Sequence, residues 1–141
     1  MENKLLGMLQ RLILQHLKRI HTYCEAIAVL DEKEAQKEVA LLEKGSQKAR
    51  EFLMELGFMI RFMDGEAPEV VGEEQPLGFS AKASLMDILS YIVKLEDQTV
   101  ELYKHLMEAH ADIDNDLYNR IRLQRTEIQS FKQGLTALLS S

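Results

Sequence analysis

Three polar side chains that can bind a metal ion or exchange a proton interrupt helical patterns made otherwise of apolar residues. His16, Glu96 and Gln124 each occupy a position where apolar spacings of three and four residues predict a buried site. Burying such groups costs free energy unless they find hydrogen-bond partners or a metal ion. These three residues are therefore the candidates for chemistry in this chain.

Two interpretations of this cluster stay open. His16 and Glu96 lie near the middle of their predicted helices, so we expect them to approach each other, with Thr99 and Gln124 nearby. The four side chains then form a buried polar network, or His16 and Glu96 hold a single divalent metal ion completed by water or a second subunit. Because buried polar groups more often satisfy one another, we favour the network and predict no catalytic residue and no cofactor.

The composition indicates an all-α protein. The chain has 141 residues, two prolines and long stretches rich in helix-forming Leu, Glu, Lys, Ala and Gln, and its length fits one domain over residues 1–141. A net charge of −6 disfavours binding to nucleic acid. With one cysteine, no signal-peptide pattern and no long apolar run, we expect a cytoplasmic protein without a membrane partner.

The apolar pattern divides the chain into four helices. Asp31 and Glu34 have the spacing of a capping box and predict the start of the second helix. Ser84 and Asn115 lie where the third and fourth helices are expected to begin. The predicted helices cover residues 3–30, 33–63, 84–111 and 116–139.

The segment over residues 64–82 carries glycines, prolines and acidic residues and has no helical pattern. Adjacent antiparallel helices need only a short connection, whereas this segment can span ~60 Å when extended. We therefore expect it to return along the whole bundle and to make the second and third helices parallel. The predicted architecture is two antiparallel hairpins joined by a long crossover.

Four short segments, HLKRIHTY at residues 16–23, IRFMDG at 60–65, KLE at 94–96 and DLYNR at 116–120, resemble segments of bacterioferritins. Residues 16–23, HLKRIHTY, are similar to the family's first helix, where Ile and Tyr follow a metal-binding Glu by four and seven residues. Residues 60–65, IRFMDG, are similar to the end of its second helix. Residues 94–96, KLE, and 116–120, DLYNR, are similar to its third helix and the start of its fourth. The resemblance implies a ferritin-like four-helix bundle.

The di-iron site of that family is degenerate here. Such a site uses one Glu from each of two helices and a Glu-x-x-His motif from each of the other two, and this sequence contains no Glu-x-x-His. His16 stands at the position of the first-helix Glu, and Glu96 alone matches a family ligand. The resemblance therefore implies a bundle without a ferroxidase centre.

A second apolar stripe lies beside the core pattern of the second helix. It consists of Met54, Phe58 and Phe62, and Leu5 and Leu12 likewise fall outside the pattern of the first helix. Apolar surface of this kind marks interfaces, and the ferritin-like family pairs subunits through these two helices, so we predict a homodimer.

We therefore expect a non-catalytic oligomeric binding or structural protein. The alternatives are an atypical metal-binding protein that uses His16 and Glu96, and an acidic helical chaperone or adaptor that binds a partner helix.

Overall fold

The computed structural model describes residues 2–63, 65 and 83–140, and these residues form four α-helices. The expectation of an all-α, four-helix protein is confirmed. The predicted crossover over 64–82 lies, apart from Gly65, outside the described residues. The helices are α1 Glu2–Glu32, α2 Gln36–Phe62, α3 Leu85–Ala109 and α4 Asn115–Ser140.

The turn between α1 and α2 differs from the predicted capping box at Asp31. The amide of Ala35 donates to the carbonyl of Leu30, and the amide of Glu34 donates to that of Asp31. With Glu34 at φ 58°, this is a Schellman motif that closes α1. Helix α2 is instead preceded by Ala35, whose side chain caps nothing. The Asp31 and Glu34 spacing thus belongs to the end of one helix rather than to the start of the next.

The start of α3 is fixed by local side chains. The hydroxyl of Ser84 accepts from the amide of Asp87, and the carboxylate of Asp87 accepts from the amide of Ser84. This reciprocal pair satisfies two amides that the first helical turn leaves without partners. It places the first residue of α3 at Leu85, next to the predicted boundary.

Each helix packs against two others: α1 and α4 each contact both α2 and α3. Two apolar clusters fill the interior. The first joins the beginnings of α1 and α4 to the ends of α2 and α3; its buried members include Leu9, Leu12, Leu56, Ile60, Leu106 and Ile121. The second joins the opposite helix ends; its buried members include Leu30, Leu42, Ile88, Leu89, Ile92 and Leu135.

Two interface predictions on α1 are wrong. Leu5 and Leu12 are only 7% and 1% exposed and belong to the first apolar cluster. Because α1 packs against both α2 and α3, it buries a wider stripe than a single apolar seam. These two leucines therefore stabilise the fold of one chain and are not available to a partner.

The second-helix stripe lies on the surface. Met54, Phe58 and Phe62 are 62%, 64% and 92% exposed. They follow one another at intervals of four residues along α2, so they share one face of that helix. Among the described helices, none has an apolar stretch long enough to cross a membrane.

Candidate functional site

Arg19 is the centre of a buried polar network between the two apolar clusters. Its side chain is 1% exposed, and it faces Glu96 of α3, which is fully buried. The guanidinium donates from Nε to Oε1 of Glu96 at 2.8 Å and from Nη2 to Oε2 at 2.9 Å. Two parallel hydrogen bonds of this kind are the strongest pairing available to an arginine and a carboxylate. They join α1 to α3 at one fixed register.

Tyr23, one turn further along α1, bonds to both members of this pair. Its hydroxyl accepts from Nη2 of Arg19 at 3.0 Å and donates to Oε1 of Glu96 at 2.5 Å. Burial, together with Glu96, raises the pKa of Tyr23 well above its ordinary value, so the phenol keeps the proton that it donates. Burial by itself acts to lower the pKa of Arg19, but Tyr23 and Glu96 outweigh it and raise that pKa. Arg19 therefore keeps its charge, and Tyr23 remains a donor to Glu96.

The same guanidinium holds the neutral ring of His16 in one tautomer. Nη1 of Arg19 lies 2.9 Å from Nδ1 of His16, and because a guanidinium only donates, Nδ1 must accept. The proton of the neutral ring is then on Nε2, which lies 2.7 Å from the hydroxyl of Tyr103. Burial, with a smaller effect of Arg19, holds the pKa of His16 well below its ordinary value.

The chain of donors continues from α3 to α4 and α2. Burial raises the pKa of Tyr103 far above its usual range, and its hydroxyl donates to Oε1 of Gln124 at 2.5 Å. The amide nitrogen of Gln124 makes longer contacts of 3.5 Å with the carbonyl of Phe52 and the carboxylate of Glu55. Each group along this path donates a hydrogen bond to the next group. The hydrogen bonds therefore all run in one direction as they link the four helices.

The predicted site residues meet in part. His16, Glu96, Thr99 and Gln124 are all buried. Arg19 joins His16 to Glu96 in place of the direct contact that the sequence suggested. Gln124 enters the network through Tyr103, whereas Thr99 makes a separate contact, accepting from Gln15 at 2.9 Å and donating to the carbonyl of Leu95.

Sequence reasoning missed Arg19. The apolar seam of α1 passes from His16 to Ile20 and Tyr23, and an apolar residue is the usual choice for a core position. The alternative path through Arg19 has the same spacings of three and four residues. The one available signal for Arg19 was the buried glutamate on a facing helix, because a buried carboxylate requires a cation or a proton.

The arrangement leaves little capacity for metal binding. Both oxygens of Glu96 and Nδ1 of His16 already accept from the guanidinium. A divalent ion would have to displace a cation that is itself buried and paired. Within the described part of the chain, no three His, Cys, Asp or Glu side chains are grouped as a metal site requires. The geometry is that of a rigid cross-link between helices.

Comparison of the chain with protein-family models, with curated proteins and with solved structures finds no match.

Removing the Arg19 cation alone should destabilise the fold more than removing both charges of the ion pair. We expect Arg19→Met to lower the free energy of unfolding by about 3–5 kcal/mol, because it leaves the Glu96 carboxylate buried without its counterion. Adding Glu96→Gln to that variant should recover a large part of the loss, since no buried charge remains and Gln can still accept from Tyr23. Urea denaturation of the wild type, both single variants and the double variant measures the coupling. Additive effects of the two substitutions would contradict the ion-pair interpretation.

His16 should make the protein less stable in mild acid. Between its low folded-state pKa and its ordinary value of 6.5, the unfolded chain binds a proton that the folded chain does not. The free energy of unfolding should therefore fall as the pH drops below 6.5, by up to about 1.4 kcal/mol per pH unit.

His16→Gln is the matched variant for this effect, because an amide can accept from Arg19 and donate to Tyr103 with the same polarity as the neutral ring. His21, His105 and His110 remain in both proteins, so the difference between the two urea-denaturation profiles from pH 7.5 to 4.5 isolates His16. Identical pH profiles would show that His16 does not titrate on unfolding.

Proposed function

We propose that this chain is a ferritin-like four-helix bundle that lacks a ferroxidase centre and works as a non-catalytic, homodimeric binding or structural protein. The observation that carries this proposal is the guanidinium of Arg19 between His16 and Glu96. A protein side chain there supplies the positive charge that, in a di-iron bundle, the metal ions would supply.

The contacts between helices support the ferritin-like order. Gln15 contacts Thr99, and Arg19 contacts Glu96, so residue numbers rise along α1 as they fall along α3. The Schellman turn reverses the chain between α1 and α2, and the ends of α2 and α3 share the first apolar cluster. We infer that α2 and α3 run parallel, with residues 64–82 as the crossover.

The crossover is long enough for this path. Helix α2 has 27 residues and is therefore ~40 Å long. The segment over 64–82 can span ~60 Å when extended. A return along the bundle is thus within its reach, and two hairpins joined in this way have the connectivity of ferritin-like folds.

The alternative of a metal site at His16 and Glu96 makes a distinct prediction. We expect protein equilibrated with Zn²⁺, Mn²⁺ or Fe²⁺ under anaerobic conditions, then desalted, to retain far less than one metal ion per chain by elemental analysis. The reason is that Arg19 already bonds to both carboxylate oxygens of Glu96 and to Nδ1 of His16, and its positive charge would repel a metal ion there. Its melting temperature should also be unchanged by a chelator.

A stoichiometric ion, or a melting temperature that falls with chelator in the wild type and not in Glu96→Ala, would instead establish the metal-binding alternative. The Arg19→Met variant serves as a control, since retention of metal by that variant alone would assign the exclusion to the guanidinium.

The exposed stripe of Met54, Phe58 and Phe62 supports the homodimer. These side chains lie on one face of α2 and are more than half exposed, which is costly in water for residues of this size. A second copy that presents the same face would cover the stripe in a twofold, self-complementary contact. The proposed interface is therefore centred on α2.

We expect the wild type to sediment as a dimer at micromolar concentrations and Phe58→Glu to shift it toward the monomer, because a carboxylate in the contact would be buried without a partner. Leu123→Glu is the matched control, since Leu123 is an exposed residue on a different helix, α4, and this variant should sediment like the wild type. Analytical ultracentrifugation over a concentration series measures both.

A wild type that stays monomeric at high concentration would contradict the dimer. In that event, saturable binding of an amphipathic peptide helix to the same stripe, weakened by Phe58→Glu, would favour the chaperone or adaptor alternative.

A further inference from the structure

The outer surface of the bundle exposes a further large apolar side chain besides the stripe on α2. Leu14 of α1 is 51% exposed. It precedes the fully buried His16 by two residues, just as Phe58 of the stripe follows the fully buried Leu56 by two. Because successive residues of a helix lie about 100° apart around its axis, Leu14 and Phe58 both point away from the core.

Two contacts between α1 and α2 fix the height of Leu14 along the bundle. Near one end, the side chain of Leu6 packs against Gly65. Further along, Nη2 of Arg50 lies 3.9 Å from Sγ of Cys24. Residue numbers therefore rise along α1 as they fall along α2, and the two contacts give the offset between the helices.

Counting along both helices from these contacts places Leu14 level with Phe58. Leu14 is eight residues from Leu6 and ten from Cys24, and the same numbers of residues along α2 lead to the turn that contains Phe58. Gly57 lies in that turn, and a Cβ atom there would meet nothing within 4 Å. Because Gly57 has no side chain to stand between them, Leu14 and Phe58 belong to one continuous apolar surface.

The exposed apolar residues are arranged symmetrically about this level. Met54 lies four residues before Phe58, and Phe62 lies four residues after it. A twofold axis that crosses the helices at the level of Phe58 would bring Met54 of one copy to Phe62 of the other. It would bring Phe58 and Leu14 each to its own counterpart. A contact between identical copies requires such self-complementarity, which a partner of a different sequence does not need.

The exposed apolar area is large enough for a dimer. At roughly 200 Å² for each large side chain, the exposed fractions of Leu14, Met54, Phe58 and Phe62 leave about 500 Å² of apolar surface per copy. Two copies would bury about 1,000 Å², which reaches the lower limit for a specific interface before any polar rim is counted. A second copy of the chain is therefore the occupant that this surface fits.

We propose that two copies pair with α2 of one antiparallel to α2 of the other, about a twofold axis at the level of Phe58 and Leu14. This arrangement rests on the proposed homodimer. It adds Leu14 of α1 to the interface and assigns a partner to each exposed apolar residue of the surface: Leu14 to Leu14, Phe58 to Phe58, and Met54 to Phe62.

Cysteine cross-linking tests this register, because a residue at a twofold axis meets its own counterpart. The variants are made in a Cys24→Ser background, which removes the exposed native thiol, and are oxidised at concentrations where the reduced proteins sediment as dimers. Leu14→Cys should form a disulfide-linked dimer about 100-fold faster than Leu123→Cys, since the interface holds its two thiols at high effective concentration. Leu123 is the matched control because it is a leucine of α4 with a similar exposure of 56%.

A mixture of two variants tests the antiparallel direction. Met54→Cys and Phe62→Cys, in the same background, should each link slowly alone. When the two proteins are mixed, a disulfide between them should form quickly, because the axis brings position 54 of one copy to position 62 of the other and a disulfide needs its two Cβ atoms close together. Circular dichroism checks that each variant is folded.

Linkage of Leu14→Cys no faster than that of Leu123→Cys, with a wild type that sediments as a dimer, would overturn the register and leave the homodimer standing. Equal rates for Met54→Cys alone and for the mixture would also overturn it, because the axis would then lie at Met54. A wild type that stays monomeric would contradict the homodimer itself, and the register with it.

Discussion

The bundle depends on one buried ion pair. Arg19 and Glu96 lie at the level where four helices meet, with almost no exposure to solvent. Removing two charges from water is costly, and their attraction offsets this cost only when the geometry is good and the remaining donors and acceptors find partners. Here the two side chains form parallel hydrogen bonds, and Tyr23 bonds to both of them. The cost of burying the ion pair is therefore offset by its paired hydrogen bonds and by Tyr23.

The polarity of the network follows from the guanidinium. A group that can only donate forces Nδ1 of His16 to accept, which places the ring proton on Nε2 and turns the hydroxyl of Tyr103 toward Gln124. One arginine on α1 thus orients side chains on α3 and α4. Because each hydrogen bond requires a particular register, the network opposes sliding of one helix along another, which apolar contacts alone restrain only weakly.

The ion pair and its hydrogen-bond partners fill the centre of the bundle. Because protein side chains fill the centre, any surface open to a partner lies at the periphery, and two such surfaces differ in chemistry. One is the exposed apolar stripe on α2, which lacks charge and suits another protein surface. The other is a cleft between α2 and α4, which is lined by Arg19 and by faces of both helices.

The sequence alone determined the helices, because helix formation depends on propensity and on apolar spacing along a local stretch of chain. It also identified His16, Glu96 and Gln124 as buried, since they stand at apolar positions. The sequence could not predict the turn at Glu34, because the same residues fit either a capping box or the end of α1. Only the backbone conformation distinguishes the two.

Only the tertiary structure decided which residues share the core. Leu5 and Leu12 are buried because α1 has two neighbours, and the pattern of one helix does not reveal how many helices it contacts. Arg19 is buried because a carboxylate 77 residues away lies opposite it. Burying a charged side chain at such a position is favourable with a partner and very costly without one, and the partner comes from another helix.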